Sequence, residues 1–393
     1  MESKIKTLAT EYFVEIQEIR RHLHENPELS FVEFETSSFL KKKLTEWGLE
    51  IDATWVKTGF TVVIDSGKPG KTIAVRADLD ALPIQEKADV KYASKVDGRM
   101  HACGHDVHSA CLMGVAKILK ATKNEWTGRA VLIFQPGEEK LPGGASLMIE
   151  EGILDRYKPD LILAQHVYPE FEVGHVGFKS GMYMASADEI YLTVKGVGGH
   201  AALPHRNIDP IVISASIILN LQTLVSRISP PTLPTVLSFG KIIGEGATNV
   251  IPSEVKLEGT LRTFNEEWRA VFHEKIKEVC ESIAAAHGGE CVVDIRKGYP
   301  FLVNDKDITE NSIQYANQYL GEQNVEQLEL RMTAEDFAYF SQQVPSCFYR
   351  LGVGNKSLGI DKSVHHPEFQ IDEQALETGV GLMAYLVTQH LSD

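Results

Sequence analysis

Four separated stretches of this 393-residue chain carry side chains that bind cations: Met100 to His108 (MHACGHDVH), Phe134 to Glu139 (FQPGEE), His166 at the end of AQH, and Val364 to Phe369 (VHHPEF). A thiol, imidazoles and carboxylates together suit zinc, manganese, cobalt or nickel better than calcium or magnesium. Glu138 and Glu139 are adjacent, and neighbouring anions are costly unless a cation offsets one of them. One carboxylate can then ligate while the other moves protons. A solvated turn is the ordinary explanation for a Glu-Glu pair, but this one follows a segment that reads as a buried strand. Cys103 and His105 lie just before a helix N-terminus, whose field favours a thiolate over a thiol. His101, His108 and His366 read as outer neighbours of the ligands or as exposed histidines. His22, His24, His175, His273, His287 and His390 read as solvated.

These residues need a scaffold that brings distant segments together. Helical spacing places Phe13, Ile16, Ile19 and Leu23 on one face of a helix from about Tyr12. A second helix opens at Thr36 and stops at Gly48, and a third runs from Asp106 with Val107, Ala110, Cys111, Gly114, Val115, Ile118 and Leu119 in register. Thr61 to Asp65 and Thr72 to Ala77 read as strands. Ala130 to Phe134 and Leu161 to Ala164 are continuous apolar runs, as in central strands covered on both faces. FQPGEE and His166 come directly after these two runs, where sites gather in open α/β sheets. From Ile190 to Ile295 the order becomes strand-helix-strand-strand-helix-strand, that of a ferredoxin-like unit. After Pro300 the α/β alternation resumes and ends in a helix opened by Asp372. The reading is an α/β catalytic domain with a mixed sheet flanked by helices, residues 1–184 and 298–393, interrupted by an inserted ferredoxin-like α+β domain, residues 185–297.

Composition narrows the function classes. A hydrophobic content of 43% with 24% charged residues is that of a globular protein. The net charge of -15 argues against nucleic acid and anionic membranes as partners and requires local positive groups for any anionic substrate. The first thirty residues lack the apolar stretch of a secretory signal, and the longest apolar run, Pro210 to Val225, reads as a buried helix. Five cysteines, an odd number, do not make a disulfide framework and point to a reducing, cytoplasmic setting, with Cys111, Cys280, Cys291 and Cys347 in the core.

RADLDALP, MHACGHDVH, FQPGEE, GVGGHAALPH, NVIP, MTAEDFAYF and VHHPEF, in this order, resemble the M20 metallopeptidases. The similarity is to their amidohydrolase branch of aminoacylases, hippurate hydrolases and auxin-conjugate hydrolases, and it covers nearly the whole chain. It implies two divalent metal ions, bridged by Cys103 and completed by His105, Glu139, His166 and His365. The family pattern of His, any residue, Pro selects His365 over His366. It further implies Glu138 as general base, and Asp78 and Asp80 as groups that orient the site without ligating. The inserted domain would serve as lid and dimerisation domain. There, His200 would stabilise the oxyanion, and Asn249 and Arg262 would hold the substrate carboxylate. Two departures, Gly137 in place of a common alanine and EEKLPGGA after the paired glutamates, touch the rim of the site. The implied reaction is deacylation of small N-acyl amino acids. A dipeptidase or carboxypeptidase uses the same machinery, and a non-catalytic metal-binding protein is the alternative of another class.

Overall fold

The computed structural model describes residues 1–392. The chain divides into two compact units, one comprising Met1–Tyr183, Val303–Glu329 and the chain from Asp336 onward, the other Met184–Leu302 and Leu330–Glu335.

Among the described residues, eight strands form the sheet of the first unit. Their order is Ile51–Trp55, Gly59–Asp65, Arg129–Gln135, Thr72–Asp78, Leu161–Glu172, Ser346–Gly354, Val176–Phe178 and Val325–Gln327. The four central strands run parallel, and Thr72–Asp78, Arg129–Gln135, Ser346–Gly354 and the first half of Leu161–Glu172 are almost wholly buried, which explains continuous apolar runs in place of alternation. The sheet is mixed because Gly59–Asp65 joins it antiparallel. The helices Glu2–Glu25, His105–Ala121 and Ala375–Ser392 pack on one another beside it. His105–Ala121 is buried nearly all round, as its apolar sequence requires.

The second unit holds an antiparallel sheet in the order Thr235–Ile243, Glu254–Thr263, Asp188–Lys195, Glu290–Lys297. The helices Pro210–Thr223 and Glu266–Ala286 connect these strands in the ferredoxin-like order. Asp209 caps the first helix by accepting from the amides of Ile211 and Val212, and Pro210 stands where no amide is needed.

Several sequence expectations change. The first helix begins at Glu2, nearly three turns before Tyr12, and the second begins at Phe34 ahead of Thr36. The apolar segment from Pro210 is not a buried helix. Over Pro210–Ile228 it is long and apolar enough to cross a membrane, yet it buries Ile213, Ile217, Leu221 and Leu224 in the unit's core with Ile218 and Val225 half-buried beside them. Val212 and Leu219 stay 52% and 70% exposed, because a helix on one face of a four-stranded sheet covers a single stripe. His24 and His390 are buried, and His273 Nε2 donates to Asp188 Oδ2 at 2.6 Å, so these three are not solvated. Cys111, Cys280, Cys291 and Cys347 are buried and free as expected.

Candidate active site

Each candidate ligand stands at a different element of the first unit. Cys103 ends the loop before the helix His105–Ala121, whose N-cap is Gly104 at φ 79°. A Cβ on Gly104 would come within 2.6 Å of Val167, so only glycine turns the chain closely enough to present both Cys103 and His105. Glu138 and Glu139 follow the strand Arg129–Gln135. His166 lies inside its strand and not beyond it, because pairing with Ser346–Gly354 continues opposite His166 at Arg350. His365 sits in a loop at φ 66°, its backbone amide donating to Ala102 at 2.7 Å. A non-glycine residue in that region is strained, and the strain accompanies a side chain turned toward the site.

These five side chains converge. The Cys103 Sγ lies 3.5 Å from His166 Nε2 and 3.3 Å from His365 Nε2, while Glu139 Oε1 lies 3.2 Å from His365 Nε2. His105 Nε2 is 3.9 Å from both Glu138 Oε2 and Glu139 Oε1. Two of these atoms, His105 Nε2 and Glu139 Oε1, are buried without a hydrogen-bond partner. Orphaned buried polar atoms are rare, and here they face one another among a thiol and imidazoles, an arrangement that fits cations.

The imidazoles are oriented from behind. His105 Nδ1 donates to the Asp80 carbonyl at 2.8 Å, and His166 Nδ1 to the Val167 carbonyl at 2.8 Å, so each ring is fixed with its Nε2 turned to the site. His108 is committed at both nitrogens, donating from Nδ1 to Asp78 Oδ1 at 2.6 Å and accepting at Nε2 from the Val167 amide at 2.9 Å. It braces the site and is no ligand. His101 is buried with neither nitrogen partnered, and burial lowers its pKa to about 4.

The electrostatics call for positive charge. Burial raises the Cys103 thiol well above its ordinary range, and Glu139, Glu138 and Asp78 raise it further. The helix field expected to favour the thiolate is therefore outweighed until a cation arrives. Burial alone would lower His105, but Asp78, Asp80 and Glu139 lift it to about 10. A proton thus occupies the nitrogen that a cation would claim.

Asp78 and Asp80 have distinct surroundings. Asp78 accepts from Arg76 Nη1 at 2.7 Å as well as from His108. Asp80 accepts from the amides of Glu138 and Glu139, each at 3.0 Å, and from Ser30 Oγ at 2.6 Å. A buried network that sequence reasoning left unassigned lies behind them. Arg76 binds Gln135 and Asp336 at 2.8 Å each, and Asp336 also accepts from Gln135 Nε2 and from the Ala145 amide. All three residues belong to motifs already noted, RADLDALP, FQPGEE and MTAEDFAYF, which was the available signal. Arg20, His24 and Asp106 form a second buried cluster, with Asp106 accepting from Arg20 Nε and paired to His24 Nδ1 at 2.8 Å each.

Residues 74–389 match the model of peptidase family M20/M25/M40. The chain belongs to this family. It is 43% identical over 358 residues to N-acetyl-L-cysteine deacetylase of Bacillus subtilis, covering 91% of this chain and 84% of that protein. It is 36% identical to thermostable carboxypeptidase 2 of Saccharolobus solfataricus over 367 residues, 93% of this chain and 92% of that one. Among solved structures it is similar to the Bacillus subtilis YXEP protein, described as a dinuclear metal binding peptidase from the M20 family. The TM-score is 0.83 at 34% identity, covering 97% of this chain and 99% of that one. This M20 chain is a metal-dependent hydrolase of the amidohydrolase branch, and the non-catalytic reading is set aside.

The remaining M20-type candidates lie in the second unit. His200 and Asn249 belong to one small hairpin, with His200 paired to Val250 and the Ala201 amide donating to the Asn249 carbonyl at 3.0 Å. His200 Nδ1 accepts from the Ala202 amide at 3.1 Å, and His200 and Asn249 are exposed. Arg262 stands apart from them, on the strand Glu254–Thr263 opposite Val236, and burial lowers its pKa.

Proposed function

We propose that this chain deacylates N-acyl amino acids with two divalent cations, zinc, manganese, cobalt or nickel, which Cys103, His105, Glu139, His166 and His365 would hold. The observation that carries the reading is the meeting of Cys103 Sγ, His166 Nε2, His365 Nε2 and Glu139 Oε1 within 3.5 Å contacts, beside Glu138. When bound, the cations would polarise the amide carbonyl and lower the pKa of water from ~15.7 to about 7.

The chain's own groups supply the remainder. Glu138, buried and next to the ligands, takes a proton from the attacking water and returns it to the departing amine nitrogen. Asp80 holds the turn that presents Glu138, and Asp78 fixes His108 and Arg76 behind it. His200 donates toward the oxyanion, and Asn249 and Arg262 take the substrate carboxylate, the local positive charge that a net charge of -15 otherwise denies it.

The inserted unit serves as lid and dimerisation domain in this reading. Its exposed row Ile211, Val212 and Leu219, and the apolar Val236, Ile242 and Ile243 on an edge strand, support pairing with a second copy. Sedimentation of the purified chain tests that pairing. Five free cysteines support a reducing, cytoplasmic setting.

A carboxypeptidase or dipeptidase activity is the second reading, supported by the similarity to thermostable carboxypeptidase 2. A panel of acetyl, benzoyl and longer acyl amino acids beside dipeptides, assayed after reloading with each divalent metal, separates the two. Rates for acyl amino acids that fall below those for dipeptides with every metal would overturn deacylation.

A further inference from the structure

The turn that carries the paired glutamates hangs from two buried carboxylates, only one of which belongs to the motifs of the site. Three successive backbone amides point to them: Gly137 donates to Glu33 Oε1 at 2.8 Å, and Glu138 and Glu139 donate to the two oxygens of Asp80 at 3.0 Å each. Glu33 is 0% exposed and has a full set of donors, since Oε1 also accepts from the Phe31 amide at 2.9 Å and Oε2 from Thr58 Oγ1 at 2.7 Å.

The segment around it is shaped to the turn. Phe31 adopts φ 68°, and Gly137 adopts φ 61° directly against the Phe31 ring, where a Cβ would come within 2.3 Å. Ser30 Oγ reaches across to Asp80 Oδ2 at 2.6 Å, so the one segment grips both anchors of the turn. Burying a second carboxylate near Asp80 is costly. Burial and the Asp80 charge together lift Glu33 to about 7. A strained residue and an expensive buried acid gathered on one turn mark a segment selected for geometry.

We propose that Glu33 is a positioning residue for the hydrolytic reaction: by holding the Gly137 amide it sets the direction in which Glu138 and Glu139 leave the turn. The proposal rests on the reading of Glu138 as the proton-transferring group. Glu33 touches no candidate ligand, so its action passes through the backbone.

Two substitutions in the metal-loaded full chain separate geometry from charge. Glu33→Gln keeps a carbonyl oxygen for the Gly137 and Phe31 amides and offers its NH2 to the Thr58 hydroxyl. Glu33→Asp keeps the charge and withdraws the acceptor by about one bond length, ~1.5 Å. With metal content equal, Glu33→Gln is expected to retain kcat within about threefold. Glu33→Asp is expected to lose about 10- to 100-fold in kcat with KM within about threefold, as a misplacement on the order of 1 Å would produce. Native-state hydrogen exchange at the Gly137 amide should be at least about tenfold faster in Glu33→Asp than in Glu33→Gln. Wild-type kcat and exchange in Glu33→Asp would overturn the proposal, as would equal losses of kcat in both variants. Glu138→Gln run alongside separates the two readings: full turnover there removes the base assignment, while exchange at Gly137 still decides whether Glu33 holds the turn.

Discussion

Replacing Asp80 with asparagine tests the site where its geometry is most constrained. Both carboxylate oxygens receive amides, Oδ1 from Glu138 and Oδ2 from Glu139. In Asp80→Asn one oxygen becomes an NH2 donor, and no flip of the side chain avoids a conflict. With the NH2 at the Oδ2 position it faces the Glu139 amide; the Ser30 hydroxyl can rotate to accept, but the amide cannot. With the NH2 at the Oδ1 position it faces the Glu138 amide and, at 3.3 Å, His105 Nδ1, which already donates to the Asp80 carbonyl. Either way one buried N–H is orphaned, a cost of about 1–3 kcal/mol, and the surviving bond loses its charge assistance. Stability should fall by about 2–3 kcal/mol in urea unfolding of the metal-free chain. The turn will relax to rehydrate the orphan, and a shift of about 1 Å at Glu138 predicts a loss on the order of 100-fold in kcat for an N-acyl amino acid. An unfolding midpoint and a kcat both equal to wild type would refute the reasoning, since they would mean that the two amide contacts hold nothing.

Other outcomes follow from the same geometry. Glu138→Gln should keep its metal while kcat falls on the order of 1000-fold, checked by elemental analysis beside steady-state kinetics. Loading metal at pH 7 to 8 should release about two protons per chain, from Cys103, raised by burial and Glu139, and from His105, held at about 10. Calorimetry in buffers of different ionisation enthalpy measures this release, and none at all would sink the ligand assignment. Metal affinity should correspondingly weaken as pH falls. In the second unit, burial opposes ionisation of Asp188, but Arg269 and His273 more than compensate and hold it at about 2, below the usual 3.8. A depressed carboxylate stabilises the fold above its unfolded pKa and ceases to as pH drops through the folded one. About 2 kcal/mol should therefore be lost between roughly pH 4 and pH 2. Urea midpoints of Asp188→Asn should show a shallower decline across that window.

The order of elements was legible because it is written in local patterns. Apolar runs announced the central strands Arg129–Gln135 and Leu161–Glu172, and the strand-helix-strand-strand-helix-strand order announced the inserted sheet. Boundaries were less so. The first helix extends back to Glu2, where Ile5, Leu8 and Ala9 continue the apolar stripe sparsely among charged residues, and the second helix opens with no cap from its own N-cap residue, its first amides being taken by Glu28 from further back along the chain. The Pro210 helix was misjudged because apolarity alone cannot tell a helix buried all round from one that covers a sheet on a single side.

By itself, the sequence determined which residue types are available and in what order along the chain: a thiol, imidazoles and adjacent glutamates placed near buried strands. Tertiary structure decided what each could do. His105 and His108 lie three residues apart on one helix, yet the first leaves Nε2 facing the site without a hydrogen-bond partner while a backbone carbonyl takes its other nitrogen, and the second spends both nitrogens on Asp78 and Val167. Glu33, more than a hundred positions from the turn it holds, carries no local mark of its role. Hydrogen-bond partners and burial are properties of a packed neighbourhood, and a neighbourhood assembled from distant segments exists only once the chain has folded.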